Sequence, residues 1–180
     1  LRSGGISPLA CRYFDYARRV RWEAMQPFLV LIAGLTGSGK STLAREMSRR
    51  LGARAIGSDA TRKTLAGASG RQDNLSYGEG IYHPSMTQRT YAKMAAEAER
   101  LILNGEGVIL DATFHRKAQR EMILNLAAQR NTPLAVIHCQ GAESVVRERL
   151  AKRAAEAQDP SDGRWEVYIK QRAAFEPFEE

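Results

Sequence analysis

The chain has 180 residues, 43% of them hydrophobic and 26% charged, with a formal net charge of +7. That length fits one domain with a sizeable core, and the balance is that of an ordinary globular protein with no internal repeat and no low-complexity tract. The longest apolar run, FLVLIAGL (28–35), is too short to cross a bilayer, while the basic balance admits nucleic acid, phosphorylated metabolites or an anionic surface as partners beside a merely solvated arginine-rich exterior.

Residues 1–26 hold five arginines against Asp15 and Glu23, and no apolar block follows the first basic residues as a signal peptide would require. The stretch YFDYARRVRWEAM reads as a linker or docking helix, with Tyr13, Tyr16 and Val20 on one side, ended by Pro27. The first residue is Leu1, so a fragment of a longer polypeptide is expected. Cys11 and Cys139 lie far apart with no metal-ligand spacing, which predicts a reduced, cytoplasmic setting.

From Pro27 to the end the pattern becomes regular. FLVLIA (28–33) is a continuous apolar run, as a strand buried on both faces requires. A Gly-rich turn leads into a helix over 41–51, and ARAIGS (53–58) is a short strand ending at Asp59. A brief helix over 60–66 precedes a long loop (67–83) carrying Gly67, Gly70, Gly78 and Gly80, and loops of that length within a compact domain are usually functional or mobile. Pro84 opens a helix to about Leu103, with a stripe of Met86, Tyr91, Met94, Ala98, Leu101 and Ile102. VILD (108–111) is a buried strand, 116–130 a helix, LAVIHC (134–139) a fourth strand, and 143–157 a basic helix. QDPSDG then separates a last helix over about 164–175. Strands alternating with helices imply parallel βαβ units and a sheet covered on both faces.

The segment GLTGSGKS (34–41) fits G-x-x-x-x-G-K-[ST] and sits between a buried strand and a helix, the context that this phosphate-binding loop requires. Gly34, Gly37 and Gly39 permit turns that side chains forbid. The amides of Thr36, Gly37, Ser38, Gly39, Lys40, Ser41 and Thr42 can then line an anion nest at the positive end of a helix. In that arrangement Lys40 reaches the terminal phosphates and the Ser41 hydroxyl ligates Mg²⁺. No base-reading N-K-x-D segment of a GTPase switch occurs, so a small kinase is the expected class.

Asp111 ends an apolar strand, where an acid can hold Mg²⁺ or cap the following helix. Thr113 and Arg116 lie just beyond it, facing either the transferred phosphate and acceptor or solvent. Asp59 follows a different strand at the same sheet edge, where ligands of open α/β sheets bind. It has two readings: the base that orients and deprotonates an acceptor hydroxyl, or a helix N-cap. Arg62 lies one turn later on the same face, to hold an anionic acceptor or to fix the carboxylate. The run RERLAKR (147–153) belongs to a lid expected over about 141–160, from which Arg149 and Arg153 are assigned to the phosphates. Its other reading is a solvated basic helix. Tyr82 and His83 are candidate acceptor-binding residues in the long loop, ahead of His115 and His138.

GLTGSGKST, SDATRK, GEGIYHP, VILDATFHRKAQR, LAVIHC and VVRERLAKR stand in the order seen in small bacterial kinases, and the chain resembles the zeta-toxin and chloramphenicol-phosphotransferase-like group of P-loop kinases over about residues 27–155. It is most similar to the kinase half of two-part bacterial proteins whose other half resembles aminoglycoside phosphotransferases. That resemblance implies ATP and Mg²⁺ as cofactors, and residues 1–26 as the connection to a covalently linked N-terminal domain. The Asp59–Arg62 spacing also resembles the D-x-x-R of 5′-hydroxyl polynucleotide kinases. The chain departs from such folds at FEPFEE (175–180), where a fifth strand is commonly found. The expectation is therefore a kinase-type three-layer αβα domain with a parallel sheet of order 2-3-1-4. It would transfer the γ-phosphoryl group of ATP to a hydroxyl of a small molecule. A polynucleotide 5′-kinase, a non-catalytic ATP-sensing module and a toxin acting on a sugar nucleotide are the alternatives.

Overall fold

The computed structural model describes residues 24–67, 83–156 and 164–178. The arm expected over 1–26 lies outside them up to residue 23, as do Tyr82 and all but the two ends of the 67–83 loop. The described elements are β1 (Leu29–Ala33), α1 (Lys40–Leu51), β2 (Arg54–Gly57), α2 (Ser58–Leu65), α3 (Pro84–Leu103), β3 (Val108–Asp111), α4 (Lys117–Gln129), β4 (Leu134–His138), α5 (Glu143–Glu156) and α6 (Trp165–Ala173). The four strands form a parallel sheet of order β2-β3-β1-β4, as expected.

The alternation of β1 explains the layers. Leu29, Leu31 and Ala33 point to one face, where Tyr91, Met94, Ala98, Leu101 and Ile102 of α3 and Ile123, Leu126 and Ala127 of α4 cover them. Phe28, Val30 and Ile32 point to the other, against Ala44, Leu43 and Met47 of α1. Every residue of β1 is buried, which is why its sequence is an unbroken apolar run. The stripe read for α3 is found, except that Met86 is half-buried and Thr90 is fully buried, its hydroxyl donating to the Met86 carbonyl at 2.8 Å.

Register places the site. Ile32 pairs with Asp111, and Asp111 with Gly57, so β1, β3 and β2 end level with one another. The residues that follow each strand therefore emerge side by side at the carboxyl edge of the sheet, the place where open α/β folds bind ligands.

Strand β4 is the edge, and Ala135 and Val136 are exposed. No fifth strand occurs among the described residues. Instead, the segment after α6 wraps across the sheet end. His138 stacks on Phe175 (centroids 5.1 Å apart) and packs on Phe178 (4.7 Å). The Arg120 guanidinium lies over the Phe178 ring at 4.5 Å, donates to the Phe114 carbonyl at 2.9 Å and to the Pro177 carbonyl at 2.8 Å. Arg120 is 6% exposed, so these carbonyls and rings replace its water. Arg120→Met is expected to lower unfolding free energy by about 2 kcal/mol, because it leaves two carbonyls short of a donor. That corresponds to a melting temperature roughly 4–8 °C lower by calorimetry.

Candidate active site

The loop after β1 is shaped as its glycines allow. Gly34, Gly37 and Gly39 have φ of 151°, 77° and 96°. Gly37 is also sterically required: a Cβ there would lie 2.9 Å from Val146 Cγ1. The loop is thus pressed against α5, whose Val146 and Leu150 are buried with Leu35, Tyr168 and Trp165. The helix read as part of a lid is seated on the P-loop along this apolar side.

Helix α1 starts at Lys40, capped by Gly39 with no side-chain cap, so its first amides face the loop cavity. Lys40 is half-buried. Its ammonium donates to the Leu35 carbonyl at 3.1 Å. Burial pushes its pKa below the usual lysine value, while Asp111 and then Asp59 pull it back up and Arg153 opposes them. Lys40, Asp59, Asp111 and Arg153 therefore share one electrostatic site, although they come from four separate elements. The Ser38 hydroxyl is buried in this loop with no hydrogen-bond partner, a polar atom left for a ligand to satisfy.

Asp111 is half-buried at the end of β3. Burial pushes its carboxyl above the ordinary aspartate range, the Ser41 hydroxyl and Lys40 work against that, and Asp59 adds to it. Asp111 binds protons more tightly folded than unfolded, so its ionisation costs stability that is absent below the ordinary carboxylate pKa and grows as pH rises to its folded value. Asp111→Asn is expected to raise the melting temperature at pH 7, because a neutral amide carries no such ionisation penalty. The gain disappears near pH 3, where both forms are neutral, and scanning calorimetry at the two pH values checks it.

Asp59 lies in the first turn of α2, which begins at Ser58 rather than at 60, with Gly57 as its N-cap. Its carboxylate accepts from Arg62 Nη1 at 3.1 Å. The pair is lopsided: the Asp59 side chain is 56% exposed and that of Arg62 only 10%. The cation is set into the fold while the acid stands open at the sheet edge.

The remaining residues divide. Arg149 Nη1 reaches the Gly37 carbonyl at 3.5 Å, and Arg153 lies within electrostatic reach of Lys40, so both lie beside the P-loop. Arg147 instead stacks on Trp165 at 5.3 Å. Thr113 gives its carbonyl to the Gly34 amide at 3.2 Å, tying the β3–α4 loop to the P-loop. Ser41 and Thr42 are exposed on the first turn of α1. His83 is exposed and caps α3, its Nδ1 accepting from the Ser85 amide at 3.3 Å. Arg116 pairs with Glu176 at 3.0 Å at the start of α4, and Glu176 also accepts from the Lys117 amide. His115 and His138 lie by the C-terminal segment, and burial lowers the pKa of each.

Sequence reading missed the residues that brace the site. The Tyr91 hydroxyl oxygen accepts from the Phe114 amide at 3.1 Å, which steadies Phe114 at a left-handed φ of 47°. Gln171 accepts from the Thr36 amide at 2.9 Å. Neither residue stands near its partner in sequence, so no local pattern marks it.

A family model described as an AAA domain matches residues 29–178. The chain belongs to that family. The matched AAA domain covers every described strand and both loops of the site. Over 132 residues the chain is 30% identical to an uncharacterized protein of Mycobacterium tuberculosis; the match takes 70% of this chain and 26% of the relative. The chain thus spans about a quarter of the length of that relative. Among solved structures, a gluconokinase from Sinorhizobium meliloti superposes with a TM-score of 0.57 at 20% identity, covering 84% of this chain and 76% of its own. The Mycobacterium tuberculosis APS kinase, solved with AMPPNP and APS, does so with a TM-score of 0.58 at 19% identity, covering 73% and 72%. These two establish a shared P-loop kinase-type fold. No helix among the described residues is long and apolar enough to cross a membrane.

Proposed function

We propose that this AAA domain is an ATP- and Mg²⁺-dependent kinase that transfers the γ-phosphoryl group to a hydroxyl of a small molecule. The observation that carries the reading is the convergence of Lys40, Asp59 and Asp111 at the level carboxyl ends of three strands, close enough that both acids raise the Lys40 pKa. In this reading Lys40 and the loop amides hold the phosphates and Arg149 and Arg153 cover them. Asp59, held by Arg62, orients the acceptor hydroxyl and takes its proton. The acceptor oxygen–phosphorus bond forms as the bond from the γ-phosphorus to the bridging oxygen breaks, and ADP departs. In this reading Thr113, His83, Tyr82 and Arg116 are the candidates for contact with the acceptor.

The donors present suit Mg²⁺. The Ser41 hydroxyl faces Asp111 closely enough to hold its pKa down, and no group of three or more His, Cys, Asp or Glu side chains that could hold a metal occurs among the described residues. One carboxylate and one hydroxyl, completed by phosphate and water, is how a hard, reluctantly dehydrated cation is usually bound. Bound there, Mg²⁺ supplies charge neutralisation between the phosphates. The greater length of the mycobacterial relative supports reading the module as one part of a two-part protein, with residues 1–26 as the connection.

The test is ADP release across a panel of small hydroxyl compounds and 5′-hydroxyl oligonucleotides. Stimulation by a small compound supports the reading. Stimulation by oligonucleotides alone, with a steep salt dependence, replaces it with the polynucleotide kinase that the Asp59–Arg62 pair also suits. Tight ATP binding with no acceptor-dependent release replaces it with an ATP sensor.

A further inference from the structure

Three side chains hold the Leu35–Gly37 turn of the P-loop. Lys40 donates to the Leu35 carbonyl at 3.1 Å, Arg149 to the Gly37 carbonyl at 3.5 Å, and Gln171 Oε1 accepts from the Thr36 amide at 2.9 Å. The first two are cations, and on the function proposed above a triphosphate draws both away from these carbonyls. Gln171 is neutral, so a triphosphate exerts on it none of the charge attraction it exerts on the two cations; by taking the Thr36 amide, which the sequence places in the phosphate nest, it leaves the phosphates to the amides from Gly37 onward. It is also firmly placed. Gln171 is 9% exposed, and its helix α6 is fixed through Tyr168 against Val146, Leu150 and Leu35 and by stacking of Tyr168 on Trp165 at 4.9 Å. The segment immediately after α6 is anchored to the β3–α4 loop, where the Glu176 amide donates to the His115 carbonyl at 2.8 Å.

We propose that Gln171 is a positioning residue for nucleotide binding: it keeps the P-loop turn in its phosphate-accepting shape once Lys40 and Arg149 have swung onto the phosphates. The inference rests on the proposed nucleotide site. A turn that must be ordered at the moment of binding charges that ordering to the affinity, and a turn held in advance does not. A purely structural role for Gln171 lowers thermal stability and leaves the affinity of the folded protein unchanged.

The experiment is calorimetric titration of AMPPNP with Mg²⁺ into the full chain, into Gln171→Met, which keeps the reach and loses the acceptor, and into Gln171→Glu, which keeps the acceptor. All three are titrated at a temperature well below their melting points. The expected result is a Kd raised about tenfold in Gln171→Met and mostly restored in Gln171→Glu. A Gln171→Met variant that melts lower but binds as tightly as the parent overturns the inference, as does an equal loss in Gln171→Glu. A parent chain that binds no AMPPNP overturns the proposed nucleotide site and the inference together, whereas tight parental binding with an unaffected Gln171→Met removes the inference alone.

Discussion

Lys40→Met is expected to lower ATP-dependent turnover by about 10²–10³-fold, the usual effect of removing one preorganised electrostatic donor. It is expected to weaken ATP binding by roughly 10–100-fold, since a hydrogen bond to a charged group contributes about 1.5–3 kcal/mol. Methionine retains most of the aliphatic stem, so packing survives. Folding is expected to hold or improve. Burial depresses the Lys40 pKa below that of an exposed lysine, so the unfolded chain binds its proton more tightly than the folded one. The resulting penalty is present below the folded pKa and fades as pH rises through it toward the ordinary lysine value. A neutral side chain removes it. Loss of function with an unchanged or higher melting temperature is therefore the signature; a parallel loss of both would mean that Lys40 serves the fold.

Asp59→Asn is expected to cut turnover by about 10²–10⁴-fold, the range for a positioned general base, and to leave ATP binding near that of the parent. The two consequences separate because the Asp59 side chain is 56% exposed and bonds to Arg62. Asparagine keeps an acceptor for the Arg62 guanidinium, so folding loses at most about 1 kcal/mol, the scale of an exposed ion pair. Steady-state kinetics beside nucleotide titration check it. Normal turnover in Asp59→Asn removes the base assignment and leaves the carboxylate as an anchor for Arg62.

Much of this architecture can be read from sequence because the determinants are local. An unbroken apolar run such as 28–33 has few solutions other than a strand covered on both faces, and four strand segments joined through helices leave few parallel topologies. The phosphate loop is legible for the same reason: its glycines, lysine and serine fall within eight consecutive residues. The start of α2 is shifted because Ser58, a poor helix interior residue, is tolerated in a first turn capped by Gly57. What stays hidden is long-range. Gln171 meets Thr36 across 135 residues, and Arg120 finds Pro177 across 57. FEPFEE reads as a strand gone missing, yet Phe175, Glu176, Pro177 and Phe178 work as a strap whose partners are a ring, an amide and a guanidinium on other elements. Nothing in the order of those residues encodes that.

The same distinction explains the lid. RERLAKR is basic along its length, but the helix that carries it is amphipathic in a way that matters for the site. Val146 and Leu150 seat it on Leu35 and Gly37, which leaves Arg149 one residue from the contact and directed at the P-loop. Charge alone does not separate Arg149 from Arg147, whereas the apolar seam between them does.

The most direct measurement compares ATP with AMP in calorimetric titrations of the full chain with Mg²⁺. A cradle of amides, Lys40 and α5 arginines reads the terminal phosphates, so ATP is expected to bind at one site per chain and at least about tenfold more tightly than AMP, each lost charge-assisted contact being worth about a factor of ten. Equal affinity for the two nucleotides would contradict the account, because the site would then be recognising the nucleoside and not the phosphate tail.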